Sequence, residues 1–251
     1  MNKGKIYFAS DFHLGVPTRE ISLEREKLIV QWLDEIRKDA AEIYLMGDMF
    51  DFWFEYKNAV PKGFTRLLGK LAEICDSGIP VYLFTGNHDM WMFDYLQDEL
   101  GVIIYRKPVV KEFNGKKFFL AHGDGLGPGD RGYKFIKKVF ANPLLQWMFA
   151  RIHPNTGIGI ANFWSGQSRG SGGIEKDKWK GDENEYLVQF VKKTLLKEHY
   201  DYFIFGHRHL PLEMKIADSV YINLGEWINY SSYAVFDGDK VELKSFRPMH
   251  A

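Results

Sequence analysis

Lys5-Ile6-Tyr7-Phe8-Ala9-Ser10-Asp11-Phe12-His13 begins as a β-rich apolar run and ends on a carboxylate and an imidazole two positions apart. Open α/β sheets place their ligand sites where such runs end, at the carboxyl ends of strands. Four further apolar runs finish the same way, in Gly47-Asp48, Gly86-Asn87-His88-Asp89, Ala121-His122-Gly123-Asp124 and Gly206-His207-Arg208-His209. Helical periodicity around Leu23–Arg37 and Phe64–Ser77 separates the first three runs, so the order is that of a layered α/β protein. Asn114-Gly115 between Val109–Phe113 and Lys116–Ala121 predicts a two-residue hairpin, and Asp237-Gly238-Asp239 a turn between closing strands. The sheet is therefore expected to be mixed.

The rest of the composition narrows the class. With 251 residues, 45% of them hydrophobic, the chain can bury a sizeable core, and a single domain over 1–251 is expected. Lys+Arg 33 against Asp+Glu 33 leaves no basic field, which argues against a stable nucleic-acid partner. The one cysteine, Cys75, follows Leu67, Leu68, Leu71 and Ile74 at helical spacing and reads as a core thiol. Met1-Asn2-Lys3-Gly4 runs straight into the first strand, with no signal-peptide pattern, and this predicts a cytoplasmic protein. No stretch reaches the roughly 18 uninterrupted apolar residues of a membrane span, so any membrane contact is expected to be peripheral.

Two adjacent divalent ions need several nitrogen and oxygen donors and a carboxylate able to bridge them, held about 3.5–4 Å apart by rigid elements. The five strand-end motifs supply that inventory, and they contain five of the eight histidines. In an extended chain, residues two apart share a side, so Asp11 with His13, and His207 with His209, are each expected to grip an ion from the pleat of a strand end. Asp51 and Asp89 are expected to accept hydrogen bonds that orient imidazole rings.

The ordered set D-x-H, G-D-x-x-D, G-N-H-D, H-G and G-H-x-H, from Asp11 to His209, resembles the calcineurin-like metallophosphoesterases. That resemblance implies an α/β/β/α sandwich with mixed sheets. It also implies a first ion on Asp11, His13 and His209, a second on Asn87, His122 and His207, and Asp48 bridging them. The mixed donors make manganese the first choice, with iron or zinc as alternatives. By the same resemblance His88 faces the substrate, where it stabilises the transition state or protonates the leaving oxygen.

Between Leu126 and Lys180 the rhythm of strands stops. Nine basic and three acidic residues give this segment a net charge of +6 inside a neutral chain. Phe135, Val139, Phe140, Leu144, Leu145, Trp147, Met148, Phe149, Phe163 and Trp164 recur there at helical spacing. Residues 126–180 are therefore expected to form an inserted helical lid whose basic and apolar faces suit a lipid phosphate. Within and beside it, His122-Gly123-Asp124-Gly125-Leu126, Asp130-Arg131-Gly132-Tyr133 and Asn142-Pro143-Leu144-Leu145-Gln146 resemble the UDP-2,3-diacylglucosamine pyrophosphatases of lipid A synthesis, as does Leu224-Gly225-Glu226-Trp227. The resemblance implies release of UMP and 2,3-diacylglucosamine 1-phosphate from a lipid-linked UDP-sugar, at the cytoplasmic face of the inner membrane. Asp130, Tyr133, Trp147 and Phe149 are the expected substrate contacts. Many members of that family carry Arg after the Asn, where this chain has His88, a titratable ring in place of a permanently charged fork. The alternatives are a calcineurin-like phosphodiesterase or phosphatase for another nucleotide or phosphoester, and a non-enzymatic scaffold of the same fold.

Overall fold

The computed structural model describes residues 4–129, 131–161, 179, 181 and 183–247, without the side chains of residues 131 and 133. Its first strand, β1 (Lys5–Ala9), pairs in parallel with β2 (Ala40–Leu45), which pairs with β3 (Val81–Phe84), which pairs with β4 (Ile103–Tyr105). On the other side of β1 lie β10 (Ser232–Phe236) and β11 (Val241–Ser245), both antiparallel to their neighbours, so the six-stranded sheet runs β11-β10-β1-β2-β3-β4. A second sheet runs β5-β6-β7-β9-β8, from β5 (Val109–Phe113), β6 (Lys116–Leu120), β7 (Tyr202–Phe205), β8 (Leu212–Ile216) and β9 (Ser219–Asn223). Both sheets are mixed. The Asn114-Gly115 hairpin forms as expected, with both residues at positive φ, 50° and 77°.

Three apolar clusters fix the layers. Ile6 and Phe8 of β1, with Tyr44 and Met46 from β2 and just beyond it, meet Phe118, Leu120, Tyr202 and Ile204 of the second sheet, forming a sheet-on-sheet core. The alternate residues Tyr7, Ala9, Ile43 and Leu45 pack outward on α1 (Arg19–Ile36) and α2 (Thr65–Asp76), through Leu28, Ile29, Trp32, Leu33, Leu67 and Leu71. Phe203 and Phe205 face the opposite way from Tyr202 and Ile204, onto Leu187, Val188 and Val191 of α6 (Tyr186–Leu195). Period-two alternation with both faces apolar thus produces helix, sheet, sheet, helix in that order. A short helix, α3 (Tyr95–Leu100), leads into β4.

α1 starts at Arg19, four positions before the periodic run, because the Thr18 hydroxyl caps it by accepting from the Ile21 N–H at 3.3 Å. Cys75 is partly buried against the first core, within α2. The described part of the insertion is helical: α4 (Arg131–Phe140), α5 (Pro143–Phe149) and a further helical stretch over 154–161. Asn142-Pro143 is a helix start, in which the Asn142 side chain accepts from the Leu144 and Leu145 N–H groups and proline occupies the first turn. No helix among the described residues is long and apolar enough to cross a membrane.

Candidate metal centre

The loops that follow β1, β2, β3, β6 and β7 converge at one edge of the sandwich. The parallel ladder continues past the strand ends, with Asp11 N–H donating to the Gly47 carbonyl and His13 N–H to the Asp48 carbonyl, both at 3.0 Å, so the first two loops move as one. Gly206 N–H donates to the His122 carbonyl at 2.9 Å, and Trp227 N–H to the Asp11 carbonyl at 3.1 Å. These bonds join loops from both sheets. Two glycines make the approach possible. A Cβ at Gly86 would lie 2.1 Å from Asp48 Oδ1, and one at Gly206 would lie 2.5 Å from Asp11 Oδ2, so no side chain fits at either place.

Asp11, His13, Asp48, His207 and His209 have φ values of 55°, 44°, 53°, 67° and 53°, all in the left-handed region that L-residues seldom occupy. This corrects the expectation that the pleat of a strand end aligns Asp11 with His13 and His207 with His209. β1 ends at Ala9 and β7 at Phe205, and the side chains converge because the backbone turns left-handed beyond them.

Three groups of ligand atoms result, the atoms of each within 4.8 Å of one another. Asp11, His13, Asp48 and His209 form one, and Asp48, His122 and His207 a second that shares Asp48 with it, while His13, Asp51 and His88 form the third. His13 Nε2 lies 3.0 Å from His209 Nε2, and His209 Nε2 lies 3.3 Å from Asp11 Oδ1. Donors bound at about 2.0–2.2 Å to one ion, at angles near 90–110°, stand about 3.0–3.5 Å apart, which is this spacing. Asn87 Oδ1 sits 3.3 Å from His122 Nε2 and extends the second group.

Asp48 belongs to the first two groups. Its Oδ1 accepts the His88 N–H at 2.9 Å, while Oδ2 is buried without a hydrogen-bond partner among the described residues, 3.3 Å from His122 Nε2 and 3.9 Å from His13 Nε2. An orphaned carboxylate oxygen costs free energy that a cation on either side would offset. His122 Nδ1–H donates to the Met46 carbonyl at 2.8 Å, which turns Nε2 toward the cluster, where a cation would take the place of its proton. The His and Asp clusters thus fit a dinuclear metal site.

The protons tell the same story. Burial opposes ionisation of Asp11 and Asp48, yet hydrogen bonds from His13 and His209 to the first, and the charges of His122 and His88 near the second, hold both well below the usual carboxylate range. Burial likewise opposes a charge on His13 and His122, but Asp11, Asp51 and Asp48 push the first, and Asp48 with Asp11 the second, up to about 10. Burial and the charge on His122 then push His207 down to about 4. A carboxylate cage that retains protons on buried imidazoles is one built for positive charge.

Asp51 Oδ1 stands 3.7 Å from His13 Nδ1 and 3.8 Å from His88 Nδ1, beside the rings it was expected to orient. The Asp51 carbonyl is 3.1 Å from His88 Nδ1, and since a carbonyl only accepts, Nδ1 carries the proton there. Asp89 differs from expectation. Its carboxylate accepts the backbone N–H groups of Gly86 and Met49, both at 2.7 Å, and of Asp48 at 3.3 Å. A fully buried carboxylate among amides ties two loops together instead of aiming a ring, and burial with the Asp48 charge pushes it up to about 7.

Of the expected substrate contacts, Asp130 and the Tyr133 side chain lie outside the described residues, as do Phe163 and Trp164. Trp147 is 55% exposed, with the Arg151 guanidinium 4.6 Å from its ring. Phe149 instead packs inward on Phe54 and Trp91, at 4.8 and 5.4 Å between ring centres. Trp91 Nε1–H donates to the Phe140 carbonyl at 2.9 Å, and Lys134 to the Gly127 carbonyl at 2.6 Å. The contacts of Phe54 and Trp91 seat the insertion on the loops that carry Asp48 and Asn87, while the Lys134 bond closes its entry on itself.

A model of the calcineurin-like phosphoesterases matches residues 4–211. The chain belongs to the calcineurin-like phosphoesterase family. As a calcineurin-like phosphoesterase it is a metal-dependent hydrolase, and its two mixed sheets between helices are that family's fold. It is 42% identical to a UDP-2,3-diacylglucosamine hydrolase of Porphyromonas gingivalis, over 98% of this chain and 99% of that one. It is 25% identical to a UDP-2,3-diacylglucosamine hydrolase of Yersinia pestis, over 95% of this chain and 98% of the other. Among solved structures, a phosphoesterase from E. coli aligns over 98% of this chain and 95% of that one, with 18% identity and a TM-score of 0.46.

The sequence reading missed several residues that shape this phosphoesterase site. Asn223 Nδ2–H donates to the Gly206 carbonyl at 2.5 Å. The Trp227 ring stands 5.1 Å from both Phe12 and Trp32, behind the Asp11 loop. Glu55 accepts from the N–H groups of Phe93, Asp94 and Tyr95 and from Trp53 Nε1, and so fixes the loop after His88. Only the Leu224-Gly225-Glu226-Trp227 motif signalled any of these in advance.

Proposed function

We propose that this calcineurin-like phosphoesterase is a UDP-2,3-diacylglucosamine hydrolase. The reading rests on one observation above others, the 42% identity to a protein of that name over nearly the full length of both chains. The metal ligands in this proposal are Asp11, His13, Asp48 and His209 for one ion and Asp48, Asn87, His122 and His207 for the other, manganese being the ion of choice. When bound, the two ions polarise the phosphoryl oxygens and acidify the attacking water.

The remaining work falls to the protein's own side chains. Asp48 Oδ2 sits between the two groups and sets their separation, while Oδ1 holds the His88 backbone. His88, tied through Nδ1 to the Asp51 carbonyl, is the side chain that meets the substrate, where it stabilises charge on the phosphoryl group or passes a proton to the leaving oxygen. Water adds to the α-phosphorus, the anhydride P–O bond breaks, and UMP leaves with 2,3-diacylglucosamine 1-phosphate as the partner product. Residues 126–180 act as a lid within a single domain, the acyl chains lying against apolar residues such as Trp147. Exposed Phe135, Leu144, Trp147 and Met148 on helices that also carry Lys134, Lys137 and Lys138, with Arg151 just beyond α5, support peripheral contact with an anionic membrane surface, at the cytoplasmic face of the inner membrane.

Incubation with UDP-2,3-diacylglucosamine and manganese in ¹⁸O-water, followed by mass spectrometry, tests the proposal. UMP carrying one ¹⁸O is the expected product. Turnover of a generic phosphodiester that UDP-2,3-diacylglucosamine does not inhibit, with no UMP formed, would replace it with a phosphodiesterase of another specificity.

A further inference from the structure

His207 and His209 belong to different groups of ligand atoms, although a single residue separates them. Each occupies the left-handed region, at φ 67° and 53°, which L-residues hold only where the surroundings over-determine them. Something must hold this turn. The residue between them is Arg208, itself buried at 8% exposure, and its guanidinium forms a two-point fork on Glu185: Nε to Oε2 and Nη2 to Oε1, each 2.9 Å.

Glu185 is equally informative. It flanks the N-terminus of α6, where an acidic side chain ordinarily caps the helix, yet it makes no capping bond, and its carboxylate goes to Arg208. The segment beside it is the junction of the insertion. Gly127 near the entry stem lies so close to the Tyr186 carbonyl that a Cβ there would come within 2.4 Å of the oxygen, and the Tyr186 ring stands 6.5 Å from that of His207. A buried ion pair is weak evidence for stability, because apolar residues of similar volume do as well or better. Geometry is the better reason for this one.

We propose that Arg208 is the positioning residue of the His-x-His turn: its fork on Glu185 fixes the backbone so that His207 and His209 reach two different ions, and anchors that turn to the exit stem of the insertion. The inference rests on the two-metal reading of the site. It gives the middle position of the His-x-His motif a role that touches neither substrate nor ion.

Three variants test it: Arg208→Met/Glu185→Met, Arg208→Met and Arg208→Lys. The double variant removes the pair without leaving a buried charge, so the chelated protein is expected to melt with the wild type. Its Mn²⁺ affinity, titrated by calorimetry, should fall about 10–100-fold, the usual loss when a group supporting a metal ligand is removed. kcat should fall with it while KM for UDP-2,3-diacylglucosamine holds. Arg208→Lys keeps the charge but cannot span both oxygens, so it should not restore affinity. Wild-type Mn²⁺ affinity and kcat in the double variant, or full rescue by lysine, would overturn the proposal. If the double variant does not fold, the lysine variant decides alone. A wild-type protein that binds no Mn²⁺ overturns the two-metal reading itself, a result distinguishable because it needs no substitution.

Discussion

The five strand-end loops and the insertion solve opposite problems. In the loops Asp11, His13, Asp48 and His122 are buried, their backbones cross-braced between two sheets, with strained φ angles held by neighbouring amides. In the insertion α5 has no buried residue, and Leu144, Trp147 and Met148 stand 64%, 55% and 54% exposed. Chemistry needs donors fixed within fractions of an ångström before the substrate arrives, and a rigid scaffold provides that. An amphiphile needs apolar surface that adapts to it, which packed cores do not offer. Under the proposed function, the difference separates where the reaction is accelerated from where its substrate is chosen.

Asp48→Ala should break the rigid half most completely, with kcat falling beyond the about 10²–10³-fold typical of losing one transition-state donor, because the residue serves both groups of ligand atoms. His13→Ala removes a ligand from only one of the two groups that share Asp48 and should lose less. Near-normal turnover by Asp48→Ala with two metals bound would show the carboxylate is not the bridge.

The adaptable half is tested by substrate. Each buried methylene is worth about 0.8 kcal/mol, so diacylated UDP-glucosamine should exceed its deacylated form about 10³-fold in kcat/KM if three methylenes of each chain are covered. Equal rates on both would remove the insertion's role in specificity and leave the metal assignments standing.

His88 lies at the boundary, held by the Asp48 side chain and the Asp51 carbonyl. His88→Ala should lower kcat about 10²–10³-fold with metal content unchanged, as measured by elemental analysis beside steady-state kinetics. Loss of an ion instead would make it a ligand.

Within the insertion, Phe149→Ala and Trp147→Ala should part company. Removing Phe149 uncovers Phe54 and Trp91, and a local loss of about 1.4 kcal/mol would speed tryptic cleavage near Arg151 about tenfold. Trp147 is exposed, so its loss should change stability by less than about 0.5 kcal/mol and show only in KM for the diacylated substrate. Matching behaviour of the two variants would erase the distinction between seat and surface.

A further effect concerns stability as a whole. Each ion at about 100 times its dissociation constant adds about 2.7 kcal/mol, so removing two by chelation should lower Tm by about 10–20 °C. A melting curve unmoved by chelation would mean that the loops hold their shape without metal and bind it weakly.

Alternation at β1, β2 and β7, the Asn114-Gly115 turn and the order of the His and Asp motifs were written into the chain itself, because strand pleat and turn chemistry are local. So was the candidate ligand set, since each member directly follows an apolar run. Short β4, an edge strand set in place by its pairing with β3, carried too few residues to announce itself, while β9 takes its place from β7 and β8 from β9. Only the tertiary structure decided that left-handed turns and not strand pleat bring Asp11 to His13, that Asp89 ties backbone to backbone, and that Phe149 faces in while Trp147 faces out. Those outcomes depend on what lies across a gap from each residue, and a chain's own order does not specify which side chain meets which neighbour until both sheets are in place.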